Sequence, residues 1–519
     1  MNIIKQLGIL LLFTWMILIA SKRALHIFQQ NRYEFYRYTE WLNHNLKRQL
    51  LTLALPILLL ILALIFKNIE LLLVLITCFG YGLYNYLDEK KQDYAKPLVY
   101  TGRVKRQIVI YLLLELLIYL FTIMLPLSFR ALTILISPYL LIYPLALITK
   151  PIEEAIKKRY ENEARKILAS MPFLKKIGIT GSFGKTSTKN IINDLLSEHY
   201  YTLMTPASYN TPMGITRTIR EMLKPIHEVF VCEMGADHVG EITYLMKFVK
   251  PEIGVVTSIG PQHLNTFKSL DNIIFEKMQE IELLPKDGVG IINVDNKYIA
   301  DYVIKNTCKI VRVGINNTDA DIVGKDITFD KDGSHFVAVI DGVEYKYQTK
   351  LLGENNVMNA LLAIASALTL GITVEETQRY LKEVRPVEHR LEKKNINGFL
   401  FIDNAFNSNP VSARESLEVL AKMEGKRILI TPGLVDLGKM EFEANKEFGR
   451  QMIGKADEVI LVGELEKAAI LEGLKETGFN EANIHLVANT KEAFTYVYTH
   501  YSYQDAILIE NDLPDAFLK

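Results

Sequence analysis

The chain has 519 residues, with 59 acidic and 59 basic side chains and no net charge. A neutral chain lacks the basic field that attracts a phosphodiester backbone, which argues against a nucleic-acid-binding protein. The three cysteines lie far apart, which argues against a disulfide framework and a cysteine-based metal site.

The first 150 residues are predicted to form an α-helical membrane domain. Each of several apolar runs approaches the roughly 20 residues that a bilayer-spanning helix needs. A cleaved signal peptide is not expected, because no small-residue cleavage site follows the first run. The five predicted spans are residues 7–20, 50–66, 69–87, 108–127 and 131–148.

Basic side chains predict how these spans are oriented. They are concentrated between the first and second spans and between the third and fourth, whereas the other two connections contain only Lys67 and Arg130. The positive-inside rule places the two basic segments in the cytoplasm. Five spans then put the N-terminus outside and every residue after Lys150 inside, which predicts a multi-pass protein of the cytoplasmic membrane.

Two features of this part predict contact with membrane lipid or with polar groups. Residues 26–48 mix aromatic and basic side chains, which favours an interfacial helix on anionic lipid over an ordinary polar loop. Glu115 lies within the fourth predicted span, where a charge is costly. It either lines a pocket for a polar or lipid-linked group or is protonated and bonded to a neighbouring helix.

The remainder of the chain is predicted to be α/β. A charged helical connector at 151–169 leads into a central domain at 170–384 with a mostly parallel sheet and a small antiparallel patch at 320–352. A second, Rossmann-like α/β domain occupies 385–519. The predicted strands are 173–179, 228–233, 253–257, 288–294 and 309–313, then 399–403, 427–431, 458–462, 484–487 and 506–509.

The most informative motif is a glycine-rich turn between the strand at 173–179 and a helical run. Gly181 and Gly184 let backbone N–H groups approach phosphate oxygens, because they carry no Cβ. Lys185 brings a positive charge to the β- and γ-phosphates, and Thr186 can offer a hydroxyl to Mg²⁺. The spacing Gly-x-x-Gly-Lys-Thr is shorter than that of the common phosphate loop, and the alternative is a plain surface turn. Because strand and helix lie where ATP binding needs them, we predict a P-loop ATPase-like domain.

Further polar residues follow the predicted strands. Glu233 ends one strand, His263 follows the next, and Lys277 lies in the helix after that. A carboxylate at the carboxyl edge of the sheet is suited to Mg²⁺, whereas a single histidine or lysine there is commonly structural or solvated. In the second domain, Arg390 precedes a strand that ends in the Asp- and Asn-rich run starting at Asp403, which exceeds what a helix cap needs.

In their order and spacing these motifs resemble the Mur ligase family, whose members make amide bonds in cell-wall synthesis with ATP. The members that add D-alanyl-D-alanine are the most similar. The resemblance covers about residues 170–519 and none of the predicted membrane domain. The matching stretches are residues 180–186, 209–214, 233–236, 259–264, 276–277, 353–360, 389–390 and 403–410 with Ser412.

The resemblance implies roles for particular residues and two cofactors, ATP and Mg²⁺. Lys277 matches a family lysine that is carbamylated to give a carboxylate-like metal ligand, and Asn210 and Thr211 would face the acid substrate. The implied catalytic residues are Lys185, His263, Lys277 and Arg390, and the implied metal ligands are Thr186, Glu233, His263 and Lys277. The implied nucleotide-binding residues are Gly181, Ser182, Gly184, Lys185, Thr186, Ser187, Asn356, Arg390, Asp403 and Asn407.

The activity implied is ATP-dependent ligation through an acyl phosphate, which joins an amino acid or dipeptide amine to a carboxylate-bearing envelope precursor. Two departures put the substrates in doubt. Predicted spans replace the domain that binds a UDP-sugar in the family, and Glu510 and Asn511 lie where the family usually has Lys-Gly-Ser. A lipid-linked acceptor is therefore plausible. The alternatives are a poly-γ-glutamate-type polymer synthase and a nucleotide-binding membrane scaffold without ligase activity.

Overall fold

The structure, a computed structural model, describes residues 3–91, 97–330, 333–405, 408–435, 437, 440–464 and 466–511. The described chain divides into two compact units, one up to Arg159 and one from Tyr160 onward. We call them the helical unit and the α/β unit.

Long α-helices build the helical unit. The last of them continues across the boundary into the α/β unit, and residues 151–169 lie on it, as the predicted helical connector requires. The helices are α1 (Ile3–Gln30), α2 (Phe35–Ile65), α3 (Glu70–Lys91), α4 (Gly102–Phe121), α5 (Leu127–Leu140) and α6 (Ile142–Ala169), with a 3-10 turn at Lys67–Ile69.

Among the described residues, three helices are long and apolar enough to cross a membrane, and the count of five spans stays a prediction. They are α1, α2 and, with the turn before it, α3. The pair of α5 and α6, bent by 49°, adds a fourth only if it counts as one span. The fourth predicted span does form α4, but its basic first turn and Glu115 make it too polar to qualify.

The aromatic and basic segment 26–48 is neither a separate surface helix nor a polar loop. α1 ends at Gln30 and α2 begins at Phe35, so this segment forms the adjoining ends of two long helices. The prediction of one separate helix was therefore wrong, and contact of this segment with anionic lipid stays a prediction.

Ion pairs explain why α1 is longer than its apolar run. Lys22 and Arg23 on α1 pair with Glu89 and Asp88 on α3, at 3.0 and 2.7 Å. A hydropathy window would end the span at these two basic residues, but the acidic partners on α3 neutralise their charges.

The α/β unit contains two sheets, and the larger has nine strands. Its strands are β1 (Lys175–Thr180), β2 (Thr202–Met204), β3 (Val229–Glu233), β4 (Ile253–Val256), β5 (Val289–Asn293), β6 (Lys309–Gly314), β7 (Ile322–Asp330), β8 (Gly333–Ile340) and β9 (Val343–Thr349). The order is β2-β3-β1-β4-β5-β6-β7-β8-β9, parallel up to β7 and antiparallel beyond it. The five predicted strands are confirmed within two residues at each end.

The antiparallel patch predicted at 320–352 is confirmed as β7, β8 and β9. Asp341 and Gly342 turn the chain between β8 and β9 with φ of 50° and 77°. Two positive φ angles in succession fit the tight turn that matches the twist of a hairpin. Asp332, between β7 and β8 in the sequence, lies outside the described residues.

Helices cover the larger sheet and bury its apolar strands. They are α7 (Lys185–Ser197), α8 (Pro212–Met222), α9 (Glu241–Val249), α10 (Leu264–Phe267), α11 (Leu270–Glu282), α12 (Lys297–Ala300), α13 (Glu354–Thr369) and α14 (Val374–Leu381). Ile177 and Ile179 of β1 are fully buried with α7 and α13 in one core, which fixes where α7 begins.

The smaller sheet has six strands in the order β10-β11-β15-β12-β13-β14, with only β10 antiparallel to its neighbour. The structure confirms the predicted parallel α/β character, and the Rossmann-like assignment stays a prediction. The elements are β10 (Glu392–Ile396), β11 (Phe399–Asn404), α15 (Pro410–Ala421), β12 (Arg427–Thr431), α16 (Glu441–Gln451), β13 (Glu458–Val462), α17 (Lys467–Glu476), β14 (Ile484–Val487), α18 (Thr490–His500) and β15 (Ala506–Glu510).

Candidate functional site

The strand order brings the predicted phosphate loop and Glu233 to one edge of the larger sheet. β1 pairs with β3 on one side and β4 on the other, all parallel, so their carboxyl ends lie together. The loop 181–184 follows β1, Glu233 ends β3, and Thr257 follows β4.

Two glycines allow the phosphate loop to press against its neighbours. A Cβ at Gly181 (φ 148°) would lie 2.2 Å from Thr257 Oγ1, and one at Gly184 (φ 82°) would lie 2.7 Å from Asn359 Oδ1. Ser258 holds the loop from the same side, since its carbonyl accepts from the Ser182 N–H at 2.7 Å. The loop is therefore shaped by β4 and α13 without any ligand.

Lys185, the first residue of α7, lies across this loop. Its Nζ donates to the carbonyls of Gly181 and Ser182 at 2.7 and 3.0 Å. Burial lowers the pKa of Lys185 to about 8, although Glu233 opposes that shift. Thr186 and Ser187 follow with side chains 8% and 7% exposed. These predicted nucleotide-binding residues thus share one short turn.

Glu233 is held by two donors on opposite sides. Its Oε2 accepts from Lys189 Nζ at 3.3 Å and its Oε1 from Asn210 Nδ2 at 3.0 Å. Lys189 also donates to the carbonyl of Ala207, at 2.5 Å. Asn210, predicted with Thr211 to face the acid substrate, is therefore bonded to the carboxylate at the centre of the site.

Lys189 is the site residue that sequence reasoning missed. Its side chain is fully buried, and burial lowers its pKa, with Glu233 opposing the shift. The available signal was spacing, because Lys189 lies one helical turn after Lys185 and so on the same face of α7. Because a lysine at that position of a surface helix is ordinarily solvated, the sequence alone did not identify Lys189 as a site residue.

Lys277 projects into the site from α11. It is 1% exposed, and its Nζ donates to the carbonyl of Ala236 at 3.2 Å. Burial, and then the positive charge of Lys185, lower the pKa of Lys277 to about 7. The structure thus brings Lys185 and Lys277 together, as predicted, and the carbamylation of Lys277 stays a prediction.

Arg390 reaches the same cluster from the last part of the chain. Burial lowers the pKa of Arg390, and Glu233 opposes the shift, while the charge of Arg390 lowers the pKa of both Lys185 and Lys189. Three cationic side chains, those of Lys185, Lys189 and Arg390, therefore interact with the Glu233 carboxylate. A positive excess of this kind suits a polyanion such as a triphosphate.

Asp403, predicted to hold a ribose, is engaged by protein groups. Its Oδ2 accepts from His389 Nδ1 at 2.8 Å and from Lys394 Nζ at 2.7 Å, and its Oδ1 accepts from the Ala405 N–H. Burial would raise the pKa of Asp403, but the bonds from Lys394 and His389 lower it overall. Asn407 lies outside the described residues.

The remaining predicted site residues occupy nearby turns and helix starts. Asn356 is buried on α13 and donates to the carbonyl of Leu352 at 2.8 Å. Thr211 caps α8, accepting from the Gly214 N–H. His263 is exposed, with φ of 52°, at the start of α10. Nucleotide, substrate and metal contacts for these residues stay predictions.

One further contact joins α13 to α15. The Glu415 carboxylate accepts from the backbone N–H and the side-chain Nδ2 of Asn355, both at 2.6 Å. Burial raises the pKa of Glu415 to about 7. This contact links the larger-sheet part of the unit to the part that carries Arg390.

Comparison with known families agrees with this geometry. Residues 179–367 match the Mur ligase middle domain, and residues 389–510 match the Mur ligase glutamate ligase domain. The chain belongs to the Mur ligase family. The predicted resemblance is thereby confirmed.

Relatives of this Mur ligase include enzymes that add D-alanyl-D-alanine. UDP-N-acetylmuramoyl-tripeptide–D-alanyl-D-alanine ligase from Bacillus subtilis is 33% identical over 304 residues, which is 57% of this chain and 64% of the relative. The Escherichia coli enzyme of the same name is 29% identical over 300 residues, 56% of this chain and 65% of the relative. The chain thus spans slightly less than two thirds of the length of these relatives.

Solved structures agree on the fold of this Mur ligase. A crystal structure of MurF from Acinetobacter baumannii superposes with a TM-score of 0.61 and 26% identity, over 69% of this chain and 77% of that chain. MurF from Thermotoga maritima, solved with ADP, has a TM-score of 0.62 at 23% identity and supports the fold alone.

The side chains of this Mur ligase at the sheet edge fit a nucleotide with Mg²⁺. The Thr186 hydroxyl and the Glu233 carboxylate are hard oxygen ligands of the type Mg²⁺ takes. Lys185 holds only carbonyl oxygens of its own loop, which a phosphate oxygen can replace.

Proposed function

We propose that the chain is an ATP-dependent, ADP-forming acid–amino acid ligase that acts on a carboxylate-bearing precursor of the cell envelope. The observation that carries the proposal is the convergence of Lys185, Lys189 and Arg390 on Glu233 beside the phosphate loop, with Lys277 close to Lys185. Such a cluster can neutralise a triphosphate and hold it in one orientation, which is the main protein contribution to phosphoryl transfer.

The proposed reaction has two steps. An oxygen of the substrate carboxylate attacks the γ-phosphorus, the bond to the β-phosphate oxygen breaks, and ADP leaves. The amine then attacks the carbonyl carbon of the acyl phosphate, phosphate departs with the C–O electron pair, and the nitrogen loses a proton as the amide forms. Lys185 and Arg390 would hold the transferring phosphoryl group, and Asn210 would face the acid.

Mg²⁺ would be held by Thr186 and Glu233, with His263 and a carbamylated Lys277 as further ligands, and would supply Lewis-acid neutralisation of phosphate charge. Lys189 would keep Glu233 directed toward that place. The contact of Glu415 with Asn355 would hold Arg390 over the phosphate loop and exclude water, which otherwise hydrolyses an acyl phosphate.

We propose that the helical unit attaches the enzyme to the cytoplasmic membrane, with the α/β unit in the cytoplasm, where ATP is available. Three candidate spans support attachment, and an odd number keeps the N-terminus outside when the α/β unit is inside. With a fourth span and the α/β unit still in the cytoplasm, the N-terminus would also lie in the cytoplasm. Attachment favours an acceptor that is lipid-linked or grows at the membrane.

The test uses the full chain in lipid nanodiscs with ATP, Mg²⁺ and panels of amines and carboxylate precursors. We expect ADP release only when one amine and one acid are both present, and hydroxylamine should trap the acyl phosphate as a hydroxamate. A product that grows by repeated addition would favour the polymer synthase. ATP binding with no ADP release under any pairing would favour the scaffold and overturn the ligase.

A further inference from the structure

One face of α4 carries a line of polar side chains through the apolar helical unit. Arg103, Gln107, Tyr111 and Glu115 are spaced four residues apart, so they lie one above another on a single face of the helix. We call these four residues the polar stripe. At 1.5 Å per residue it extends about 18 Å, more than half of a hydrocarbon core of roughly 30 Å.

The polar stripe faces the interior of the helical unit, not its surroundings. Gln107, Tyr111 and Glu115 are 0%, 1% and 3% exposed, whereas Leu113 and Leu117 on another face of α4 are about half exposed. The stripe is therefore not a lipid-facing or solvent-facing surface.

The buried atoms of the stripe lack partners among the described residues. Both amide atoms of Gln107, the Tyr111 hydroxyl, Glu115 Oε2 and Arg103 Nε form no hydrogen bond of acceptable geometry there. Glu115 does bond to a neighbouring helix, because Ser137 Oγ on α5 donates to its Oε1 at 2.6 Å. Tyr111 and Glu115 interact directly through their side chains, although neither the Tyr111 hydroxyl nor Glu115 Oε2 has a partner of good hydrogen-bond geometry among the described residues.

Burying these groups without water or another hydrogen-bonding partner would cost free energy of folding. Each buried donor or acceptor without a partner costs about 1–3 kcal/mol, and the stripe contains several on adjacent turns. Polar side chains inside membrane proteins persist where they serve water, ions or polar ligands. An occupant that satisfies them in series is therefore required.

The spacing and the hydrogen-bonding groups of the stripe favour water as that occupant. Successive residues are one turn apart, roughly 6 Å, a spacing that one or two water molecules can bridge. The stripe offers both donors and acceptors, as water needs. Arg103 lies at one end of the stripe and Arg130 of α5 lies at the other. The Arg130 guanidinium stacks on Tyr119 at 4.3 Å, and two of its nitrogens have no hydrogen-bond partner among the described residues. These charges disfavour a cation.

We propose that the polar stripe holds a file of water molecules that runs from the partly exposed Arg103 to the Glu115 carboxyl. Water at Glu115 would give that carboxyl contact with the aqueous phase at the Arg103 end. This inference does not depend on ligase activity, so either proposal can fail without the other.

Hydroxyl-radical footprinting of the unaltered protein in nanodiscs tests the file directly. Tyr38 is the matched control, because it is also fully buried but its hydroxyl donates to the Tyr139 carbonyl at 3.0 Å. Radicals generated in bound water should oxidise Tyr111 at least several-fold faster than Tyr38. Equal, slow oxidation of the two tyrosines would mean a dry interior and would overturn the proposal.

Cysteine accessibility provides a second test, in a chain without its three native cysteines. Gln107→Cys and Glu115→Cys should react with a small charged methanethiosulfonate, which needs a hydrated thiolate. Leu113→Cys and Leu117→Cys, on the exposed apolar face, should not react in lipid. Failure at 107 and 115, or equal reaction at all four positions, would contradict a confined file. ATP binding by each variant reports that the chain is folded.

Discussion

The two units treat buried polar side chains in opposite ways. In the α/β unit, Glu233 is gripped by Lys189 and Asn210, and Glu276 of α11 accepts from the N–H groups of Gly240 and Ile242 at 2.7 and 2.5 Å. In the helical unit, the polar stripe of α4 is equally buried but incompletely bonded. Partnered groups indicate a site that is already organised for a ligand of opposite charge, whereas unpartnered groups indicate hydration.

The contrast between the two units would fail most clearly if the cationic cluster of the α/β unit had no role in catalysis. Lys185→Ala removes the charge nearest the phosphate loop and should lower ADP release in the paired-substrate assay by about 10³-fold. Because the hydrogen bonds of Lys185 Nζ within the described part of the chain go to carbonyls of its own loop, the melting temperature should change little. Lys382→Ala, at an exposed position after α14, is the control and should retain full activity. Near-normal turnover of Lys185→Ala would refute the assignment.

Substitution of Lys189 tests whether the buried charge of Glu233 depends on its ion pair with Lys189 for stability. Lys189→Met leaves a buried carboxylate at Glu233 without its cationic partner and should lower the free energy of unfolding by about 3 kcal/mol. The double variant Lys189→Met with Glu233→Gln removes both charges and should recover most of that stability but no activity. Urea unfolding and ADP release measure the two effects. Recovery of activity in the double variant would exclude a role for Glu233 at the metal.

Glu280 is a buried carboxylate of the α/β unit that departs from this contrast. It lies one turn after Glu276 on α11 and is fully buried, but neither of its carboxylate oxygens has a hydrogen-bonding partner among the described residues. Burial raises the pKa of Glu280 to about 8, although Lys277 opposes the shift.

The substitution Glu280→Met should therefore stabilise the chain at pH 8 by about 2 kcal/mol. The folded state holds the Glu280 proton to higher pH than the unfolded state, whose pKa is about 4.3. Stability from this group is greatest below that value and is lost as the pH rises toward 8. Glu280→Met should flatten that part of the profile, whereas Glu276→Gln should destabilise. Urea unfolding at pH 5, 6.5 and 8 checks all three chains.

Local patterns predicted the parts of the site that local chemistry determines. Glycines and apolar runs predicted the phosphate loop and the ends of the strands, because backbone conformation and burial are encoded within a few residues. Lys189 was missed because its burial depends on the carbonyl of Ala207, on another segment. The bonds of Asp403 to His389 and Lys394 could not be read from local patterns either, since they join separate segments.

Local patterns do not settle the number of membrane spans, for a related reason. A hydropathy window treats each charge as a cost, but it cannot see whether that charge has a partner on another helix. Arg23 lies on a candidate span, and Asp88 on α3 neutralises it at 2.7 Å. Glu115 on α4, in contrast, accepts a hydrogen bond from a serine hydroxyl.

The smallest predicted effect separates surface charge from buried polarity. Arg106 at the start of α4 makes two bonds of 2.8 Å to Glu153 on α6, whereas Lys350 and Glu383 in the α/β unit form an exposed pair at 3.1 Å. Glu153→Gln should cost up to about 1 kcal/mol and Glu383→Gln about 0.2 kcal/mol, because water and salt screen both pairs. Thermal unfolding at low and high salt measures them. If Glu153→Gln unfolds the helical unit, charges at its edge hold the helices together, and the contrast between the units would rest on ion pairs instead of on the stripe.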